Sequence, residues 1–193
     1  ITPKSPRAQI ADEFRVIKRP LIANAMGKGA APVANGNLIM ITSAVPGEGK
    51  TFTAVNLAMS IAMELDTTVM LVDADVANPS VFRVLGLPPG PGLMDVLVKD
   101  SLDLGDTLLR SNVEKLTLLS AGTQHPRATE LLASDAMARL IEDRSLTSAW
   151  QSCWRSSPFC FLMKASTLAV VALVFGSAME PPLRGWAGAN EPR

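Results

Sequence analysis

The 193-residue chain has no tyrosine, one histidine and two cysteines, and aromatic residues make up only 5% of it. Without tyrosine, the segment carries no phenolic hydroxyl of its own to act in chemistry or to be modified. Cys153 and Cys160 stand as Cys-x₆-Cys with no second pair to complete a zinc site, so they read as free thiols of a reducing compartment. His125, between Gln124 and Pro126, reads as a loop residue rather than a catalyst. Net charge is missing too: 18 basic residues balance 18 acidic ones. Nucleic-acid binders carry a basic face, so this balance gives no footprint for such a partner. No signal-peptide pattern opens the chain, and the start at Ile1 without an initiator methionine reads as a segment of something longer.

What the chain does have is concentrated between Leu38 and Thr51. Leu38 to Ile41 is a short apolar run fit for a buried parallel strand, and a loop with Gly47 and Gly49 follows. Lys50 and Thr51 then open an amphipathic helix over Thr51 to Leu65, with Val55, Leu57, Ala58, Ile61, Ala62 and Leu65 on its apolar side. Strand, glycine loop and helix in that order are the context of a phosphate-binding P-loop, here with Ala44 at the first glycine position. Glycines let the backbone curl so that successive N–H groups face phosphate oxygens, and the helix N-terminus adds its positive dipole end. In such a site Lys50 reaches the β- and γ-phosphates and the Thr51 hydroxyl ligates Mg²⁺. A chance Gly-Glu-Gly-Lys-Thr in a surface turn is the competing reading, and the flanking strand and helix count against it.

A second apolar run, Val69 to Val72, ends in Asp73 and Asp75 about one helix downstream. Ligands of open α/β sheets bind beyond the carboxyl ends of the strands. A carboxylate leaving such a strand beside a P-loop can hold Mg²⁺, directly or through water, or orient the attacking group. Asp also caps turns, and that simpler role stays open for both residues.

Further along, Ala11 to Ala25 forms a helix that Pro20 ends or kinks. Asp12, Arg15 and Lys18 lie roughly along one face of it, as in a solvated charged surface. Asn78-Pro79-Ser80 starts a short helix ending near Leu85, Leu93 to Lys99 makes a helical turn or two, and Lys115 to Ser120 reads as a strand. Ala128 to Asp143 is expected to be one amphipathic helix. All three tryptophans and both cysteines then fall in the last 44 residues. Phe159 to Met179 is nearly continuous apolar sequence, long enough to span a bilayer, yet without the periodicity that would tell a helix from buried strands.

Residues 8–146 resemble the cytoplasmic catalytic domain of bacterial tyrosine kinases of capsular and exopolysaccharide production (BY-kinases), most of all the exosortase-associated autokinases. The resemblance rests on Ser43-Ala-Val-Pro-Gly-Glu-Gly-Lys-Thr51, Val72-Asp-Ala-Asp-Val-Ala-Asn-Pro79, Gly92-Leu-Met-Asp-Val-Leu97, Ala121-Gly122 and Glu130-Leu-Leu-Ala-Ser134. It implies an α/β fold, a doubly wound, mostly parallel sheet of the P-loop NTPase type. It implies ATP and Mg²⁺ as cofactors, with Pro46, Gly47, Glu48, Gly49, Lys50, Thr51 and Phe52 around the nucleotide and Thr51 and Asp73 at the metal. Lys50, Asp73 and Asp75 become the catalytic set, the two carboxylates assisting the metal and activating a tyrosine hydroxyl. Asp12-x-x-Arg15-x-x-Lys18 is similar to the family's Glu-x-x-Arg-x-x-Arg helix, which packs subunits into rings. A membrane polysaccharide co-polymerase, or chain-length determinant protein, is the implied activating partner, with the domain peripheral at the cytoplasmic face of the bacterial membrane.

Two departures accompany the match. The family's third motif, an apolar strand ending Asp-Ser-Pro-Pro, has no counterpart beyond the weak imitation Met179-Glu-Pro-Pro182, and the C-terminal tyrosine cluster is missing. The change in character near Ser145 reads as a frameshift or an artificial junction. The expected organisation is therefore a helix and linker over 1–37, a kinase-like domain over 38–146 with its sheet incomplete at the C-terminal strands, and an atypical tail over 147–193. Two other readings remain: a partition or septum-site ATPase, against which Val45 stands where those carry a lysine, and a non-catalytic nucleotide-binding regulator of polysaccharide export.

Overall fold

The computed structural model describes residues 9–143, apart from 32, 34, 35 and 100, together with the strand 171–177. Its elements in chain order are α1 (Gln9–Ala25), β1 (Leu38–Ile41), α2 (Lys50–Ala62), β2 (Thr67–Asp73), α3 (Val81–Val84), α4 (Leu93–Val98), α5 (Leu104–Thr107), β3 (Leu108–Arg110), β4 (Leu116–Leu119), α6 (Ala128–Leu132), α7 (Asp135–Asp143) and β5 (Val171–Ser177). The strands form one sheet in the order β1-β5-β2-β4-β3. β2 and β4 pair in parallel, whereas β5 runs antiparallel to both β1 and β2, and β3 antiparallel to β4. β1, β2 and β4 thus share one direction, and their carboxyl ends share one edge.

Alternation along the strands builds a core on each face of the sheet. Val69 and Leu71 of β2, with Leu116 and Leu118 of β4, pack with Ala54, Leu57, Ala58 and Ile61 of α2 and Phe14 of α1. Val72 and Leu119 point the other way, into Leu93, Met94 and Leu97 of α4, Leu132 of α6 and Met137 of α7. Helices on both faces make the doubly wound α/β architecture that the sequence implies. Each fully buried Leu or Ile in these layers contributes roughly 1.5–3 kcal/mol relative to exposure.

Several elements differ from the sequence reading. β1 is not a buried strand between parallel neighbours: it lies at the sheet edge, pairs antiparallel with β5, and Met40 is 42% exposed. α1 runs through Pro20 to Ala25, because Phe14 before the proline and Leu21 and Ile22 after it all pack on α2 and its neighbours. α2 stops at Ala62, where the Lys115 ammonium donates to the carbonyls of Glu64 (2.8 Å) and Leu65 (2.9 Å), leaving the Leu65 side chain 82% exposed. The helix expected over 128–143 is two, because the Ser134 hydroxyl donates to the Leu131 carbonyl and accepts the Met137 N–H, capping α7. β3 and α5 are too short to leave a periodic signal.

Of the 159–179 apolar stretch, the described part is β5; no helix among the described residues is long and apolar enough to cross a membrane. Met179-Glu-Pro-Pro182 lies outside the described residues.

Candidate functional site

The carboxyl ends of β1 and β2 deliver the loops that face each other at one edge of the sheet. After β1, the backbone turns left-handed at Gly47 and Gly49, both with φ of 88°. A side chain is strained in that region, and left-handed turns so close together are the backbone geometry by which a loop can turn successive N–H groups toward an anion. Gly49 is the N-cap of α2, so Lys50, Thr51 and Phe52 form its first turn, whose amides have no partner earlier in the helix. A Cβ built on Gly47 or Gly49 would meet nothing within 4 Å, so the loop is open around both. Among the described residues no ion pair engages the Lys50 ammonium. Phe52 is 54% exposed at the helix start, and Pro46 is exposed on the loop.

Glu48 serves the loop itself. Its Oε2 accepts the Val45 N–H at 3.1 Å, while the Ser43 hydroxyl donates to the Val45 carbonyl at 3.0 Å. That N–H, more than any other group, holds the Glu48 carboxyl below its ordinary pKa. The side chain is thus folded back over residues 43–45.

Asp73, the last residue of β2, is 1% exposed. Its Oδ2 accepts the N–H groups of Ser80 (3.0 Å) and Val81 (2.9 Å), and its Oδ1 accepts that of Asp75 (3.2 Å). Burial nevertheless pushes its pKa above the usual carboxylate value, the three amides offsetting only part of the desolvation. The capping role is therefore realised at Asp73. Asp75 does the same more locally, its Oδ1 accepting the Asn78 N–H at 3.0 Å.

One contact joins the two loops: the Thr51 and Ser80 hydroxyls lie 2.6 Å apart. Thr51, Ser80 and Asp73 form a continuous hydrogen-bonded series from the P-loop helix to the end of β2. Ser80 was not a candidate from sequence; its place directly after Asn78-Pro79, one loop beyond Asp73, was the available signal. A third loop closes beside these. The Asp95 carboxylate of α4 accepts the N–H groups of Gly92 (3.0 Å) and Thr123 (2.9 Å), tying α4 to the segment after β4. Gly122 packs so closely there that a Cβ would stand 2.5 Å from the carboxylate. Gly92-Leu-Met-Asp and Ala121-Gly122 thus meet in a structural latch.

Lys18 lies apart from this site and from the exposed charged face expected for it. It is 4% exposed, and its ammonium donates to the Ser60 carbonyl on α2 (2.6 Å) and pairs with Glu64 just beyond the end of that helix (2.6 Å). Asp12 and Arg15 pair with each other on the outer side of α1. Among the described residues no group of three His, Cys, Asp or Glu side chains is placed to hold a metal unaided.

Residues 35–139 match the ParA family, described as NUBPL iron-transfer P-loop NTPase. The chain is 41% identical over 102 residues to tyrosine-protein kinase YwqD of Bacillus subtilis (strain 168), covering 53% of this chain and 42% of that protein. It is 33% identical over 141 residues to the succinoglycan biosynthesis transport protein ExoP of Rhizobium meliloti (strain 1021), covering 72% of this chain and 17% of that one. Among solved structures it is similar to the chimerical protein CapA2B2, with a TM-score of 0.61 and 29% identity, over 74% of this chain and 59% of that one. The chain spans less than half the length of either curated relative.

Proposed function

The chain belongs to the ParA-type P-loop NTPases, with bacterial tyrosine-protein kinases of the BY type as its relatives, and from that footing we propose that it is the nucleotide-binding domain of an ATP-dependent protein-tyrosine kinase regulating exopolysaccharide chain length and export. The observation that carries this reading is the pair of left-handed glycines leading into Lys50 and Thr51, with Thr51 bonded toward the β2 carboxylate through Ser80.

ATP and Mg²⁺ fit these residues. The open loop from Pro46 to Phe52 offers amides to the phosphates, and Lys50 supplies the positive charge that the β- and γ-phosphates need. Thr51 would be the protein ligand of the metal, whose positive charge would offset the charge that develops on transfer. Asp73, with three amides on its carboxylate, would help to hold the metal by fixing the place of Ser80. Asp75 takes the proton of the incoming tyrosine hydroxyl. These 193 residues contain no tyrosine, so the hydroxyl comes from outside them. A chain-length determinant at the inner face of the membrane is the activating partner, and oligomer contacts through α1 fall to Asp12 and Arg15, since Lys18 is committed to α2.

The sequence has no Asp-Ser-Pro-Pro motif, no group of three His, Cys, Asp or Glu side chains among the described residues is placed to hold a metal, and phosphoryl transfer depends on positioned, metal-assisted charge. The domain therefore binds ATP–Mg²⁺ weakly and transfers phosphate slowly, which brings it close to a nucleotide-responsive regulator. Calorimetric titration with ATP–Mg²⁺ and a radiolabelled phosphate assay on an added tyrosine peptide test this together. Measurable binding with little transfer is expected, and Lys50→Ala should weaken binding about 10–100-fold by removing one charge-assisted contact. Robust turnover would show that the acidic set is complete; no binding at all would sink the nucleotide reading.

A further inference from the structure

Resting on the nucleotide reading of the P-loop, we propose that Ser80 is the positioning residue for the metal-binding hydroxyl of Thr51. The two hydroxyl oxygens are 2.6 Å apart and partly buried. A threonine hydroxyl has one proton and two acceptor lone pairs. To ligate a cation it must turn a lone pair toward the metal and send its proton elsewhere. Ser80 Oγ is where that proton goes: with Thr51 donating, the remaining lone pairs of Thr51 are left for the metal, and the rotamer is fixed before any ligand arrives.

Ser80 is held for this task by its backbone rather than by its side chain. Its own N–H and that of Val81 both donate to Asp73 Oδ2, and Val81 is fully buried. The acceptor offered to Thr51 is thereby fixed relative to the end of β2, and Asp73 influences the metal by locating Ser80. Outer-shell hydrogen bonds of this kind orient metal ligands, and their loss typically lowers metal affinity 10–100-fold. Ser80→Ala deletes only the hydroxyl, leaving both amides on Asp73 in place, so the local fold does not depend on the group removed.

The test uses the 193-residue chain and its Ser80→Ala and Ser80→Thr variants. Each is titrated with fluorescent ADP in EDTA and across a Mg²⁺ series, and Mn²⁺ in the ADP complex is followed by electron paramagnetic resonance. Ser80→Ala should bind ADP in EDTA within about twofold of the native chain but require roughly 10-fold or more Mg²⁺ and Mn²⁺ for half-saturation. Ser80→Thr, which keeps a hydroxyl on the same carbon, should restore the native requirement. An unchanged metal requirement in Ser80→Ala overturns the proposal, as does an equal loss of ADP affinity with and without metal. A native chain that binds ADP under neither condition refutes the nucleotide reading itself, and this inference with it.

Discussion

Asp73 and Asp95 are both buried carboxylates beside the same edge of the sheet, yet their proton affinities move in opposite directions. Burial dominates at Asp73 and raises its pKa above the unfolded-state value, so this group's contribution to stability falls as pH climbs through the raised value. At Asp95 burial is the largest single effect and also raises the pKa, but the N–H groups of Thr123 and Gly92, helped by Lys99, together outweigh it and hold the pKa below normal. Its stabilisation is present above the unfolded-state pKa of about 4 and is lost as pH falls through the lower folded value. Asp95→Ala leaves two backbone donors without their carboxylate and should cost roughly 2 kcal/mol at pH 7. In urea unfolding followed from pH 7 down to pH 3, the gap between native and variant should narrow below about pH 4; a constant gap would assign the loss to packing. Sequence showed the motif around Asp95 but not its purpose, because the carboxylate's partners, Gly92 and Thr123, lie on two separate segments.

Helix α1 shows how one helical turn decides between a surface and an anchor. At 3.6 residues per turn, Lys18 lies about 240° around the helix from Asp12. It continues the buried stripe of Ala11 and Phe14 rather than the face of Asp12 and Arg15. Spacing in steps of three made the charges look like one row; the apolar residues at 11 and 14 carried the better signal. The buried ammonium then finds the Ser60 carbonyl and Glu64, fastening α1 to the C-terminal half of α2. Lys18→Met keeps the aliphatic stem and deletes the charge, and it should cost roughly 1–3 kcal/mol. Hydrogen exchange should locate the effect: amides of α1 exchange faster while those of β4 keep their protection. Uniform acceleration would mean that α1 opens only with the whole domain. The split of Ala128–Asp143 into α6 and α7 was hidden for a related reason, since the apolar period runs on unbroken while Ser134 interrupts the backbone with its own caps.

At the scale of the whole molecule, the P-loop strand is joined to the rest of the sheet by β5 alone among the described residues. Motifs located both loops of the site, but strand order came from neither: β5 derives from an apolar tail with no periodicity and takes the slot between β1 and β2. Residues 38–41 pair with 171–174, and 67–73 with 171–177, so Val174 faces Leu38 on one side and Met70 on the other. The spacing between the Lys50–Thr51 loop and Asp73 depends on that middle strand holding both neighbours in register. A proline at 174 removes one N–H from a central ladder, whichever neighbour receives it, and places a ring where strands approach closely. Val174→Pro should lower stability by roughly 1–3 kcal/mol through the backbone group left unpaired, a sizeable share of the 5–15 kcal/mol typical of a domain. Nucleotide binding should weaken with it even under conditions where the variant remains folded, because β1 can then drift relative to β2. Urea unfolding paired with an ADP–Mg²⁺ titration at low temperature separates the two effects. Native affinity in a destabilised but folded Val174→Pro chain would show that α2, packed directly on β2, fixes the P-loop without help from β5.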